Sequence, residues 1–327
     1  MKKKADPTPP ETFTLDNILS TFATDENART FLESWIWPKG PVCPSCKQTD
    51  PLRVYLMTGA STRAGLYNCK DCRRQFTVTV GTIFEDSHIP IRKWIIGLFL
   101  MASSKKGMSS LQFQRILGLG SYRTALFMTD RIRFAMQDGG PFPSKIKGHV
   151  EVDECYYGPK AKKAGPGSKD KKVAVIGMVE RETGTRRSYV LKRVTADSMA
   201  KMIEENVQDG ATVNTDQSSL YGRTPLWFTH KSVNHERRGK DGQREYYRID
   251  KTGDVVTTNF VESSFSLLRR GVIGTFHSLT TKYLPLYVGE FDFRFNHRKT
   301  TDGERMVAMI AKTKGKRTTL KELKAAA

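Results

Sequence analysis

Two Cys-x-x-Cys pairs near the start of the chain, Cys43-Pro-Ser-Cys46 and Cys69-Lys-Asp-Cys72, constrain its folding more than any other feature. Each pair can turn two sulfurs toward one ion, and four thiolates close a tetrahedral shell around Zn²⁺. The 22 residues between the pairs slightly exceed the roughly 15–20 usual for such sites. The flanks agree: Cys-Pro-x-Cys makes a tight turn, and Cys-x-x-Cys-Arg-Arg-Gln-Phe leads from a turn into a strand. Residues 38–85 are therefore expected to form a zinc ribbon. Its short hairpins would surround a structural Zn²⁺ that supplies the stability so small a core cannot. The alternative is a redox pair or free thiols. Ribbons bind DNA or protein, so the motif alone leaves the partner open.

Charge narrows the partner. Lys and Arg total 54 against 34 acidic residues, a net +20. A surplus of that size points to a polyanion, most often nucleic acid; a solubilising basic surface is the alternative. Met1-Lys-Lys-Lys is followed by no apolar core, so no secretory signal is read there. The longest apolar run, Trp94 to Ala102, is half of the roughly 18 residues a membrane span needs. A cytoplasmic location is expected, with no membrane partner.

The chain divides by texture. Residues 1–37 are expected to be a tail followed by two short helices, the second capped by Thr24 or Asp25. Residues 86–140 are expected to be helical, with segments Arg92 to Ser103, Ser109 to Leu117 and Ser121 to Met136. A Gly-containing turn joins the last two, and the final one carries Arg123, Arg131 and Arg133. This fits a helix-turn-helix contacting DNA, or an ordinary helical linker. Gly139-Gly-Pro-Phe-Pro143 breaks the pattern. Residues 141–300 then read as a mixed α/β domain, with strands at 148–153, 172–180, 187–194 and 211–215 and a helix at 197–206. A Gly- and Pro-containing loop between the first two strands carries Lys160, Lys162, Lys163, Lys169, Lys171 and Lys172, candidates for phosphate contact. Residues 301–327 read as a basic tail.

In so basic a chain, carboxylates at strand ends stand out. Asp153 ends a strand that alternates Val150 and Val152 on one face with Glu151 and Asp153 on the other. Asp216 follows a second strand, 63 residues on. Glu262 lies 46 residues further, within a helical stripe of Phe260, Val261, Ser264, Phe265 and Leu268. Three carboxylates from separate elements are what a two-metal centre of Mg²⁺ or Mn²⁺ requires, since hard cations take oxygen ligands. Taken singly, each also reads as a turn residue, a cap or a solvated helix position.

The surrounding blocks carry a resemblance. Val-Glu-Val-Asp153-Glu, Asn-Thr-Asp216-Gln-Ser and Thr-Asn259-Phe-Val-Glu262-Ser, the last followed by Leu-Leu-Arg269-Arg270-Gly, resemble the three catalytic blocks of DDE-class insertion-sequence transposases. The narrower resemblance is to the group with an N-terminal zinc ribbon, related to Merlin elements. Phe276-His277 through Arg294-Phe-Asn296-His297-Arg298 is similar to that group's C-terminal segment. The match covers about Phe22 to Arg298. It implies a ribonuclease-H-like catalytic domain using Mg²⁺, with Asp153 and Asp216 as the first two ligands. In this group the third is Glu or Asn, and the chain offers both Glu262 and Asn259. Glu262 is preferred because Arg269, seven residues on along the helix, can hold a phosphate beside it. Arg270 is a further DNA candidate. His230 and His235 can serve structure, DNA contact or catalysis, and Cys155 reads as a small buried residue.

The resemblance implies hydrolysis at element ends, then attack of the freed 3′-hydroxyl on target DNA, by a homodimer or larger assembly on double-stranded DNA. A zinc-ribbon transcription regulator, and a nuclease that cuts without joining, are the rival readings.

Overall fold

A computed structural model of the chain describes residues 13–137, 144–158, 172–235 and 246–326. It divides into two units, one running to Met136 and resuming at Lys299, the other running from Gln137 to Arg298.

The first unit opens with helices α1 (Leu15–Thr21) and α2 (Asp25–Ile36). Thr14 and Thr24 cap them, each hydroxyl accepting an N–H bond of 3.2 Å three residues on. Phe13 meets Phe22 and Phe31 edge-on, and the Phe22 and Phe31 rings pack tilted against each other. A three-stranded antiparallel sheet follows: β1 (Val54–Leu56), β2 (Tyr67–Cys69) and β3 (Gln75–Phe76). Trp37 and the Tyr67–Phe76 stack close its small core, and Tyr67 donates to buried Glu33 of α2 at 3.1 Å. Then come α3 (Ile91–Ser103), α4 (Ser110–Leu117) and α5 (Tyr122–Met136). Gly118, in the left-handed conformation at φ 57°, ends α4, and Ser121 accepts the Thr124 N–H at 3.1 Å to start α5.

Two expectations fail in this unit. Arg131, expected to contact DNA, is only 4% exposed. Its guanidinium lies over the Trp94 and Phe127 rings and donates to the Glu85 carbonyl. Arg133 is fully buried, ion-paired with Asp130 at 3.1 Å. Both brace the helices; Arg123, near the start of α5, stays exposed. Residues 301–327, taken as a basic tail, instead carry helices Asp302–Thr313 and Leu320–Ala326. The first packs against α3 and buries Met306, Met309 and Ile310, an apolar stripe overshadowed in sequence by the lysines that follow it.

The second unit is built on a five-stranded sheet. Its strands are β4 (His149–Tyr157), β5 (Val173–Glu180), β6 (Arg186–Leu191), β7 (Thr212–Asp216) and β8 (Thr229–Val233), in spatial order β6-β5-β4-β7-β8. β4, β5 and β6 pair antiparallel; β7 runs parallel to both β4 and β8. The pleat sends Val150, Val152 and Val213 to one face, against Met199, Met202 and Ile203 of α6 (Ala196–Asn206). It sends Cys155 and Val175 to the other, against α7 (Asn259–Gly271) and α8 (Leu284–Asn296). A short hairpin, β9 (Tyr247–Ile249) and β10 (Val255–Thr257), leads into α7. Gly177, opposite Asp153 on β5, permits the close approach of α7: a Cβ there would lie 2.8 Å from Phe265 and 2.9 Å from Val261. No described helix is long and apolar enough to cross a membrane.

Candidate functional site

The four cysteines converge. Cys43 and Cys72 bring their sulfurs to 3.5 Å, as do Cys46 and Cys69, and all four lie within 4.8 Å of one another. A tetrahedron with Zn–S bonds of about 2.3 Å has sulfur–sulfur edges of ~3.8 Å, so the set fits Zn²⁺. The two halves repeat one backbone pattern. Each first cysteine donates its N–H to the carbonyl five residues on, Cys43 to Gln48 at 2.9 Å and Cys69 to Arg74 at 3.1 Å. The residues after the second cysteines, Lys47 and Arg73, take φ of 63° and 58°. Burial alone would raise the Cys43 thiol, but the N–H groups of Cys46 and Ser45 outweigh it and lower it to about 7. Such donors favour thiolate, the form that binds metal.

The carboxylates gather where β7 ends beside the middle of β4. The register pairs Glu151 of β4 with Asn214 of β7, so two residues further the parallel strands carry Asp153 and Asp216 side by side. Asp216 accepts the Ser218 N–H at 3.0 Å, which fixes its rotamer in the turn beyond the strand. Glu262 comes from the first turn of α7 on the same face. The Thr258 hydroxyl donates to its Oε1 at 2.7 Å, and His235 Nε2 lies 3.1 Å from the same oxygen. Burial, with the charges of Glu154, Asp216 and Glu262, pushes the Asp153 carboxyl up to about 7. Among the described residues no Lys or Arg pairs with Asp153 or Asp216. Carboxylates crowded together without a cation supply the oxygen ligands that could hold a divalent cation. The three do not close into a shell as the cysteines do: the cysteine set is the metal-ligand cluster found within 4.8 Å among the described residues.

Residues 145–296 of this chain match the family model of the ISXO2-like transposase domain, and residues 23–75 that of the transposase zinc-ribbon domain. Over residues 145–296 the chain is similar to an ISXO2-like transposase domain. It is also 28% identical, over 271 residues, to an uncharacterized protein in transposable element ISH50 of Halobacterium salinarum, a match covering 77% of this chain and 84% of the relative. The transposase domain is ribonuclease-H-like by family, and domains of this type bind DNA and act on it by phosphoryl transfer.

Within the transposase domain the remaining candidates fall into place unevenly. Asn259 is the first residue of α7 and exposed, one turn before Glu262. Arg269 and Arg270 are exposed near its far end. Lys160, Lys162, Lys163, Lys169 and Lys171 lie outside the described residues; Lys172, at the start of β5, is half-buried. His230 bonds Thr215 Oγ1 at 2.9 Å, a strand-to-strand contact away from the carboxylates. His235, whose role was open in sequence, is drawn to Glu262 because it follows β8, the strand beside Asp216. The C-terminal block is structural. Arg294 ion-pairs with buried Glu290 at 2.6 Å, and Asn296 pairs both its amide groups with the Arg186 backbone at 2.7 and 2.9 Å. Two further acidic residues stand at the site. Glu154 accepts the Tyr221 hydroxyl at 2.6 Å beside Asp216, and Glu151 is fully buried beneath α7. The run Val-Glu-Val-Asp-Glu was the available signal, with three acidic residues in four positions.

Proposed function

We propose that this chain is the DNA transposase of an insertion element, binding the element's terminal inverted repeats and catalysing metal-dependent strand cleavage and strand transfer. The observation that carries this reading is the side-by-side placement of Asp153 and Asp216 on parallel strands. Glu262 faces them from α7, and among the described residues no Lys or Arg pairs with Asp153 or Asp216. Asp153, Asp216 and Glu262 would hold Mg²⁺ or Mn²⁺. When bound, the ions would activate the attacking oxygen and stabilise the leaving one in an in-line phosphoryl displacement. The chain's own residues do the positioning. His235 and Thr258 orient the Glu262 carboxylate, and exposed Arg269 offers a bidentate donor to a DNA phosphate. Asn259, exposed at the helix start, is the alternative third ligand. The ribbon and exposed Arg123 supply DNA contacts outside the catalytic unit, and bringing two element ends together requires a dimer or larger assembly.

The test is a cleavage and joining assay with Mg²⁺ on DNA spanning the gene's own flanks. Asp216→Asn is expected to lower both steps by on the order of 10²–10³ or more while leaving DNA binding intact. Cutting by the variant at the wild-type rate would sink the metal-centre assignment. Cutting without joined products by the wild type would make the protein a nuclease. Binding with no cutting by either would make it a regulator.

A further inference from the structure

We infer that Glu151, paired with Arg181, is a positioning residue that seats the first turn of α7 and thereby holds Glu262 over Asp153. The inference rests on the reading of Asp153, Asp216 and Glu262 as the metal ligands.

The geometry begins at the helix start. α7 has no side-chain N-cap, although Thr258 stands at the capping position. The Thr258 hydroxyl is committed instead to Glu262 at 2.7 Å. The Asn259 N–H goes to Thr257 Oγ1 at 3.2 Å, and the next two N–H groups of the first turn are satisfied from the sheet: Glu151 Oε2 accepts from Phe260 at 2.8 Å and from Val261 at 3.2 Å. Its Oε1 accepts from Arg181 Nη2 at 2.9 Å and Nε at 3.2 Å. Arg181 also donates to the Val255 carbonyl at 2.8 Å and the Thr257 carbonyl at 3.5 Å, on the strand that enters the helix. One buried carboxylate and one arginine thus clamp both sides of the turn that presents Asn259 and Glu262.

A threonine cap would have satisfied the helix end without burying a charge. A fully buried carboxylate is costly unless it is paired and hydrogen-bonded, and burial indeed raises the Glu151 carboxyl above its ordinary range despite Arg181. What the buried carboxylate adds is a fixed distance. Glu151 and Asp153 share a face of β4, one pleat repeat of roughly 6.7 Å apart. Val261 and Glu262 are adjacent on α7. The clamp therefore ties the helix-borne ligand to the strand-borne one through a short, stiff path, and Gly177 lets the helix lie close enough to close it.

The experiment compares wild type, Glu151→Gln, Arg181→Lys and Asp216→Asn in the zinc-loaded full chain. It reads Mn²⁺ binding without DNA by electron paramagnetic resonance, and amide hydrogen exchange. Glu151→Gln is expected to lose protection at Phe260 and Val261 with β5 and β6 unchanged, and to bind Mn²⁺ about 10-fold or more weakly, the range seen for groups that orient ligands. Arg181→Lys, at a partly exposed position that tolerates change, is expected to show the same pattern more weakly, and it decides the matter should Glu151→Gln fail to fold. Unchanged Mn²⁺ affinity with protection lost would make the pair merely structural and overturn the inference; so would unchanged protection. Asp216→Asn binding Mn²⁺ like wild type would instead overturn the metal-centre reading itself.

Discussion

Cys43, Cys46, Cys69 and Cys72 converge on a frame that is written twice in short stretches of sequence, each with the same backbone bond and the same left-handed residue after it. Asp153, Asp216 and Glu262 come from β4, β7 and α7, and their closeness depends on strand register and on how a helix lies across a sheet. The cysteine cluster is already closed to within 4.8 Å, whereas the carboxylates approach one another without closing. Lys47 and Arg73 each hold a left-handed conformation that costs roughly 1–2 kcal/mol, which thiolate–metal bonds readily offset. A site coded by local repeats spends strain at its ligands. A site assembled from distant elements spends buried charge on its supports.

The largest expected effect separates the two kinds of site. Structural zinc binding contributes about 10–16 kcal/mol in small modules, so chelation, or Cys72→Ser, should melt the ribbon. Hydrogen exchange should then show β1 to β3 fully exchanged while β4 to β8 keep their protection, and metal analysis should fall from about one zinc per chain. Ribbon amides that stayed protected would show that tertiary packing, such as the Tyr67–Glu33 bond, closes this site too.

The assembled site should show its cost in pH dependence. Asp153 is held at about 7 when folded, against an ordinary value near 3.9 when unfolded. The folded state therefore binds this proton more tightly. The resulting stability is fully present below pH ~4 and is lost as pH rises toward 7. Asp153→Asn cannot titrate, so without Mg²⁺ it should gain on wild type across that window, by on the order of a few kcal/mol at most. Thermal melts from pH 4 to 8 test this, and Mg²⁺ should raise the wild-type midpoint at pH 8 but not the variant's. A difference that stayed flat with pH would mean the carboxylates are not crowded. A smaller effect is expected at Gly177→Ala, whose new methyl group meets Phe265 and Val261. Overpacking costs about 1–3 kcal/mol, and the melting midpoint and cleavage rate should fall together.

The same contrast governs what could be read from sequence. The ribbon, the five helices before residue 137, and β4 to β7 announce themselves by ligand spacing, caps and period, and lie within a few residues of where the pattern puts them. β8 is not legible in sequence, because Thr229–Val233 includes His230 and Lys231 and shows no apolar alternation. The β9–β10 hairpin escaped for a related reason: its exposed side carries Tyr247, Ile249 and Val255, so burial and polarity run against the usual correlation. Asp216 is legible as a strand-end carboxylate; Asp153, expected at a strand end, lies mid-strand instead, because β4 continues through Glu154-Cys-Tyr-Tyr157 against β5. The link of His235 to Glu262, and the anchoring of α7 by Glu151, are not legible, since each joins residues more than 25 positions apart through a register that only the folded sheet defines.

At the scale of a single helix, Arg123 and Arg131 lie eight residues apart on α5 and look alike in sequence, yet the fold gives them opposite surroundings. Arg131 is held over Trp94 and Phe127, an arrangement worth roughly 0.5–2 kcal/mol. Arg131→Ala should therefore lower the melting point of the first unit and leave the DNA affinity of the folded fraction unchanged. Arg123→Ala should do the reverse. Stability is retained, affinity falls for all sequences alike, and the slope of log affinity against log salt drops by about 1, the signature of one lost phosphate contact. Titrations of both variants at several salt concentrations decide it. Equal loss of DNA affinity in both would mean that α5 contacts DNA through its packing as a whole. The contrast between a residue read locally and one placed by the fold would then break at its smallest scale.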